Sequence, residues 1–176
     1  MMTSSERIGD VVLDVQDLRT YFVTRWGVVK AVDGVDFQLR KGETLGIVGE
    51  SGSGKSVTAL SIMRLVPSPP GHIVGGKVLL EGQDILQLPD GEMENVRGSR
   101  IGMVLQDPMT ALNPVFDIED QVGEALKIHK DMTGETLETE VVDMLRKVRI
   151  PAPEIRMKDY PHQLSGGMRQ RVVGAI

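Results

Sequence analysis

The segment Gly49-Glu50-Ser51-Gly52-Ser53-Gly54-Lys55-Ser56 follows a short apolar run and precedes a helical pattern. It matches G-x-x-x-x-G-K-[ST], in which the glycines let successive backbone N–H groups converge on phosphate oxygens. In this pattern Lys55 supplies a positive charge for the β- and γ-phosphates, and the Ser56 hydroxyl supplies a ligand for Mg²⁺. The sequence therefore predicts a loop that binds the phosphates of ATP or GTP through Gly49, Glu50, Ser51, Gly52, Ser53, Gly54, Lys55 and Ser56.

The residues around this loop indicate a mixed α/β chain. Thr44–Gly49 is a nearly continuous apolar run, typical of a strand buried on both faces of a parallel sheet, and Ile101–Leu105 is a second such run. Val11–Leu18 and Val35–Leu39 partly alternate apolar and polar residues, which predicts two further strands. The spacing of apolar residues predicts an amphipathic helix over Lys55–Val66.

The second half of the sequence is predicted to be mostly helical. Pro67–Gly76 is rich in proline and glycine and predicts a loop, followed by a short strand at Lys77–Leu80. Gly91–Val96 is predicted to form one or two helical turns. Apolar residues at spacings of three and four predict helices over Ile118–Lys130 and Glu135–Val148.

Composition narrows the class of protein. The net charge of −5 argues against a domain that holds nucleic acid by neutralising phosphates. The chain has no cysteine, which excludes disulfides, thiolate catalysis and zinc–thiolate sites. No apolar run approaches the length of a membrane helix, and the stretch MMTSSERIGD lacks the apolar core of a signal peptide. We therefore expect a soluble, cytosolic chain.

A second glycine cluster lies near the end of the sequence. The segment Tyr160–Arg171, YPHQLSGGMRQR, contains LSGG followed by the start of an arginine-rich helix. Ser165 is predicted to cap this helix, while Gly166 and Gly167 allow a ligand to approach closely, so the helix start is a second anion-binding candidate. Taken alone, the cluster leaves a glycine-capped turn open as an alternative.

The two glycine clusters together resemble the ABC-type ATPases. The segments AVDGVDF (Ala31–Phe37), LQDPMTALNPV (Leu105–Val115) and YPHQLSGGMRQR are similar to the ATP-binding subunits of dipeptide and oligopeptide importers. The similarity covers most of residues 11–176, and Met168 stands where the general signature LSGGQ has glutamine, as is typical of this subfamily. The resemblance implies an α/β fold: a P-loop NTPase core with an incomplete parallel sheet, an antiparallel β-subdomain and a helical subdomain. The implied domains are residues 1–106, the core and β-subdomain, and residues 107–176, the helical subdomain.

The resemblance also implies roles for residues outside the phosphate loop. Gln106 corresponds to the glutamine that contacts Mg²⁺ and links ATP to the helical subdomain. The resemblance implies that Lys55 and Gln106 are catalytic residues. An aromatic ring upstream of the loop stacks on adenine; Phe22 fits best, with Tyr21 and Trp26 as alternatives. The signature residues implied to contact the γ-phosphate of ATP held by a second subunit, in a head-to-tail dimer, are Ser165, Gly166 and Gly167.

In that family, ATP hydrolysis drives solute uptake through transmembrane permease subunits. The resemblance implies a peripheral protein at the cytoplasmic face of the inner membrane, served indirectly by an extracytoplasmic solute-binding protein. Dipeptides and oligopeptides are the expected solutes, with nickel and other small solutes left open. An ABC ATPase of nucleic-acid maintenance would need a coiled coil or zinc module between Gln106 and Ser165; residues 107–164 are too few and contain no cysteine.

The family's Walker B aspartate and glutamate, D-loop and switch histidine have no counterpart after the signature segment. We therefore expect an N-terminal portion of a longer protein, an ATP-binding fragment that does not hydrolyse ATP on its own. In the family's sheet, two strands lie between Thr44–Gly49 and Ile101–Leu105, a separation of about 14 Å at ~4.8 Å per strand. Both runs should then lack pairing partners, which predicts marginal stability and a tendency to aggregate.

Overall fold

The computed structural model describes residues 10–104 and 111–176. Their chain contacts divide the protein into two compact units, residues 1–93 and 94–176. The predicted domain boundary after residue 106 lies outside the described residues and stays a prediction. In chain order the elements are β1 (Val11–Thr24), β2 (Gly27–Arg40), α1 (Lys55–Ile62), β3 (Gly71–Leu80), β4 (Gln83–Asp84), α2 (Asp90–Val96), α3 (Ile118–Lys130), α4 (Gly134–Lys147), α5 (Pro153–Arg156), a 3-10 turn (Pro161–Gln163) and α6 (Gly166–Val173).

The first unit is built on an antiparallel sheet with the strand order β2-β1-β3-β4. β1 and β2 form a long hairpin that pairs from Val11 opposite Arg40 to Thr24 opposite Gly27. The predicted strands 11–18 and 35–39 lie within these two longer strands. The sheet confirms the antiparallel β-subdomain that the sequence predicts.

The prediction of a loop over residues 67–76 is wrong for its second half, because β3 begins at Gly71. Gly76 has φ 94°, and a Cβ added there would lie 2.5 Å from the carbonyl oxygen of Asp17 in β1. At this position glycine allows two strands to approach closely. The sequence pattern does not distinguish such a glycine from one in a loop.

Helix α1 packs on the sheet through a more polar face than predicted. Its buried residues are Thr58, Ser61 and Ile62, whereas Leu65, beyond the end of the helix, is exposed. The Ser61 hydroxyl donates to the carbonyl oxygen of Val57 at 2.6 Å and lies 2.7 Å from the Thr20 hydroxyl of β1. These hydrogen bonds satisfy the buried hydroxyls, so small polar side chains fill the interface at little cost.

The two apolar runs do not form the predicted buried strands in the described part of the chain. Residues 44–49 carry no strand and are exposed throughout; Val48 is 93% exposed. Ile101 makes one isolated parallel bridge with Arg97, and residues 102–104 carry no strand. An apolar run becomes a buried strand only where neighbouring strands complete its hydrogen bonds and cover both faces, and the described sheet includes neither run. Their separation of about 14 Å stays a prediction.

The second unit is helical and confirms the helix predictions closely. α3 spans the predicted residues, and α4 is displaced from the predicted range by one residue. Its buried side chains, Leu137, Val141 and Leu145, lie on the apolar face that the spacing predicts. The buried core consists of Leu112, Ile118, Val122, Leu126, Leu137, Val141, Leu145, Ile150, Met157, Leu164 and Val172. Among the helices in the described ranges, none is both long and apolar enough to cross a membrane.

Candidate phosphate-binding site

Two glycines give the predicted phosphate loop its shape. Gly52 has φ 83° and Gly54 has φ 89°, both in the left-handed region that side chains disfavour. A Cβ added at Gly54 would also lie 2.3 Å from the carbonyl oxygen of Ala31 in β2. Gly54 is therefore required twice, for its backbone conformation and for the close approach of the loop to the hairpin.

The amino group of Lys55 lies against the inner side of the loop. Its Nζ donates to the carbonyl oxygens of Gly49 at 2.8 Å and Glu50 at 2.7 Å, and to the Ser53 hydroxyl at 3.2 Å. The loop thus holds a positive charge at its own centre, where the motif requires one for phosphate binding.

The start of α1 leaves backbone donors available beside this charge. Gly54 is the N-cap residue and provides no side-chain hydrogen bond, so the cap leaves the first N–H groups of the helix to other partners. A small cavity of about 150 Å³ opens at this point and is lined by Ala31 and residues 52–57. A glycine-shaped loop, a helix N-terminus and a lysine ammonium together fit a polyphosphate. Ser56, exposed on the first turn, is the hydroxyl that fits a Mg²⁺ ligand.

Phe22 and Tyr21, the two leading candidates for an adenine contact, differ in their surroundings. Phe22 is half-buried, and a Cβ added at Gly71 would lie 2.9 Å from its ring. Tyr21 instead donates its hydroxyl to the carboxylate of Asp33 at 2.5 Å, and the amino group of Lys30 lies 5.2 Å from the centre of the tyrosine ring. The Tyr21 side chain is therefore already engaged with charged neighbours on β2.

Hydrogen bonding and charge shift the pKa values in this cluster. The Tyr21 hydroxyl and the Lys30 ammonium both donate to Asp33 and hold the pKa of its carboxyl below the usual value. The same carboxylate raises the pKa of Lys30. Trp26, the third aromatic candidate, is 81% exposed in the hairpin turn and packs against the guanidinium of Arg25, 3.9 Å from the centre of its ring.

The signature segment belongs to the second unit and starts α6. Ser165 caps this helix as predicted, because its hydroxyl accepts a hydrogen bond from the backbone N–H of Met168 at 3.3 Å. Gly167 lies on the first turn, and a Cβ added there would meet nothing within 4 Å. The Nε of Arg171 donates to the carbonyl oxygen of Gly167 at 3.2 Å. Gln106, the predicted Mg²⁺ contact, lies outside the described residues.

Sequence analysis missed the carbonyl of Ala31 as part of the phosphate site. It touches the loop at Gly54, although Ala31 is distant from it in the sequence. Every residue has a backbone carbonyl, so the sequence does not show which carbonyl contacts the loop. The only available signal is the glycine in the motif, which indicates that some group approaches closely.

The model of a family described as "ABC transporter" matches residues 32–175. The oligopeptide transport ATP-binding protein OppD of Bacillus subtilis (strain 168) is 52% identical over 164 residues, which are 93% of this chain and 46% of that protein. The dipeptide transport ATP-binding protein DppD of the same organism is 53% identical over 165 residues, 94% of this chain and 49% of that protein. The chain thus spans about half the length of the curated relatives it matches.

A dimeric structure of MJ0796, a bacterial ABC transporter cassette, is similar with a TM-score of 0.79 and 26% identity; 93% of this chain and 67% of that chain are covered. A second structure of MJ0796, a dimeric post-hydrolysis state bound to ADP and Pi, gives a TM-score of 0.80 at 26% identity and the same coverage. The family match, the identity to transport ATP-binding proteins and the shared fold agree with the geometry of the loop. This chain belongs to the ABC transporter family of ATPases and has their α/β P-loop fold.

Proposed function

We propose that the loop Gly49–Ser56 binds the phosphates of Mg²⁺-ATP. The observation that carries this proposal is the amino group of Lys55, held 2.7–2.8 Å from two loop carbonyls beside a helix start without a side-chain cap. All three N–H donors of the ammonium are engaged by the loop, so binding a β- or γ-phosphate exchanges at least one of these bonds for a bond to a phosphate oxygen. Ser56 supplies a hydroxyl to Mg²⁺, and Gln106 supplies a second ligand, as the family resemblance implies.

The same proposal extends to the cellular role. In the full-length protein, the chain forms part of the ATP-binding subunit of an importer, in which ATP hydrolysis drives the uptake of dipeptides or oligopeptides. The relatives named for dipeptide and oligopeptide transport support this substrate class. Two such subunits pair head to tail, so that Ser165, Gly166 and Gly167 contact ATP held by the partner, and the dimeric cassettes of MJ0796 support the pairing.

The remaining partners follow from the role in transport. Transmembrane permease subunits hold the ATP-binding dimer at the cytoplasmic face of the inner membrane, as a peripheral component. An extracytoplasmic solute-binding protein delivers the peptide to the permease and acts on this subunit only indirectly.

A titration with ATP tests the site. Lys55→Ala removes charge-assisted hydrogen bonds to the phosphates and should weaken ATP binding about ten- to hundredfold. The matched control is Lys77→Ala, which removes an exposed lysine from β3 of the same unit and should leave the ATP dissociation constant unchanged. An unchanged dissociation constant in Lys55→Ala contradicts the proposed site.

We also propose that the 176-residue polypeptide binds ATP without appreciable turnover. Its sequence offers no counterpart to the family's catalytic glutamate or switch histidine, and Glu50, the acidic residue closest to the phosphates in sequence, lies within the loop itself. A phosphate-release assay checks this proposal. Steady turnover that Lys55→Ala abolishes would contradict it.

A further inference from the structure

The turn end of the β1–β2 hairpin extends beyond the rest of the described sheet. The last residue of β1 that pairs with β3 is Phe22, opposite Gly71. The next N–H group, that of Val23, donates to the carbonyl oxygen of Pro70 at 2.9 Å. From there to the turn, β1 pairs only with β2, which is an edge strand of the described sheet. Residues 23–29 are here called the hairpin end.

The hairpin end exposes large apolar side chains on both faces and at its turn. Val23 is 57% and Val28 58% exposed, and as directly paired residues they share one face of the hairpin. Val29, the next residue of β2, is 56% exposed on the opposite face, and Trp26 is 81% exposed in the turn. Single exposed apolar residues are normal on protein surfaces, whereas a contiguous group of this kind marks an interaction site.

The turn satisfies its own backbone polar groups. The Thr24 hydroxyl donates to the carbonyl oxygen of Gly27 at 2.9 Å and accepts from the N–H of Trp26 at 3.2 Å. Removing an unpaired polar group from water is costly, and these internal hydrogen bonds lower that cost. The turn is therefore suited to a medium less polar than water.

The hairpin end is basic in a chain that is acidic overall. Residues 18–32 contain three basic residues and no acidic residue, whereas the whole chain carries a net charge of −5. Arg19 and Lys30, which flank the hairpin end, form ion pairs with acidic neighbours. The exposed guanidinium of Arg25 instead lies 3.9 Å from the centre of the Trp26 ring. An arginine beside a tryptophan combines a cation for phosphate groups with a ring that favours the membrane–water interface.

We propose that the hairpin end inserts into the headgroup region of a bilayer that contains anionic lipids. A bilayer surrounds an inserted tip on every side, which matches an end that is apolar on both faces. A folded protein would need a deep cleft to cover the same side chains. Trp26 and the three valines bury apolar surface in the interface, while Arg25 stays close to the lipid phosphates.

This inference goes beyond the proposed function, in which permease subunits hold the protein at the membrane. It assigns a direct lipid contact to the first unit and does not depend on the phosphate site. Binding to vesicles can therefore be measured without nucleotide, and its failure would leave the proposed ATP site untouched.

Trp26 reports on insertion directly, because it is the only tryptophan of the chain. The chain is titrated with vesicles of phosphatidylcholine alone and with vesicles of an equal mixture of phosphatidylcholine and phosphatidylglycerol. In the mixed vesicles, Trp26 emission should shift to shorter wavelength and become less accessible to acrylamide. The affinity for mixed vesicles should be about fivefold higher than for phosphatidylcholine, because one arginine near an anionic surface contributes about this factor. High salt should reduce this preference.

Two variants and a matched control separate the hairpin end from general binding of apolar surface. The double variant Val23→Thr, Val28→Thr keeps the β-branched shape but replaces methyl groups by hydroxyls, and should bind both kinds of vesicle at least about fivefold more weakly. Arg25→Gln should lose about fivefold in affinity for mixed vesicles and nothing for phosphatidylcholine. Val74→Thr, which changes an exposed valine of β3 outside the hairpin end, should match the parent with both.

Three results would overturn the inference. The first is a Trp26 emission that mixed vesicles leave unchanged. The second is a loss of binding in Val74→Thr as large as that in the double variant, since any exposed apolar residue would then suffice. The third is an emission shift that grows with protein concentration without vesicles, because a second copy of the chain would then cover the hairpin end. In buffer, the double variant should keep the emission of the parent, which shows that the hairpin still forms.

Discussion

Two glycine-rich segments each lead into a helix of eight residues, α1 and α6, and they begin these helices differently. α1 starts from Gly54, which provides no side-chain cap, whereas α6 starts from Ser165, whose hydroxyl accepts from the N–H of Met168. The backbone donors of α1 are thus left for a ligand, and those of α6 are partly satisfied by its own chain.

The charged side chains of the two segments also differ in their hydrogen-bond partners. In the first segment the Lys55 ammonium lies within the loop. In the second, the Arg171 guanidinium binds the carbonyl oxygens of Gly167 and Arg149 and is engaged with its own unit. The contrast supports the proposal that the first segment binds phosphates by itself, while the second contacts a phosphate held by another subunit.

The largest expected effect is on the shape of the first segment. Gly54→Ala places a Cβ 2.3 Å from the Ala31 carbonyl at a left-handed φ, so the free energy of unfolding should fall by about 2–4 kcal/mol. Gly167→Ala, the matched change in the second segment, meets nothing within 4 Å and should alter stability by less than about 1 kcal/mol. Denaturant unfolding of both variants checks this, and equal losses would remove the distinction between the two loops.

A smaller effect is expected from the aromatic ring beside the first segment. Phe22→Ala should weaken ATP and ADP binding alike, by about 1–2 kcal/mol if the ring stacks on adenine. Tyr21→Phe removes the hydroxyl bonded to Asp33 but keeps the ring, so it is expected to leave both affinities unchanged. Isothermal titration with each nucleotide checks this, together with unfolding of Phe22→Ala, because that ring also packs against Gly71. A loss in Trp26→Ala instead would mean that Trp26 is the adenine contact.

The smallest effect is expected from the cap of the second segment. Ser165→Ala removes the hydrogen bond to the N–H of Met168 and should lower the free energy of unfolding by about 1 kcal/mol. ATP binding to the single chain should not change, because the first segment is the one proposed to hold the nucleotide. A weaker ATP affinity of the monomeric variant would contradict this division of roles.

The sequence predicts correctly those elements whose structure is determined by residues close to one another in the chain. The helix over residues 118–130 and the buried stripe of α4 follow from local apolar spacing, and the phosphate loop follows from a motif whose chemistry is local. The Ser165 cap was predictable for the same reason, since the capping hydroxyl acts within three residues of itself.

The features that depend on distant partners could not be predicted in this way. Residues 44–49 have the composition of a buried strand but are exposed, because burial requires neighbouring strands. The first part of β3, residues 71–76, has the composition of a loop, because its glycines serve a close approach to β1. The polar face of α1 depends on the pairing of Ser61 with Thr20, and the turn of residues 113–117 depends on a glutamine in the following helix.

The central claim is that the loop Gly49–Ser56 recognises phosphates, and binding of a nucleotide series by this chain tests it most directly. Dissociation constants for ATP, ADP, AMP and adenosine should be measured with Mg²⁺ in the parent and in Lys55→Ala. We predict that ATP and ADP bind the parent at least about tenfold more tightly than AMP and adenosine, and that Lys55→Ala removes most of this difference, since the lysine acts on the β- and γ-phosphates. Equal affinities across the series, or a series unchanged in Lys55→Ala, would contradict the account.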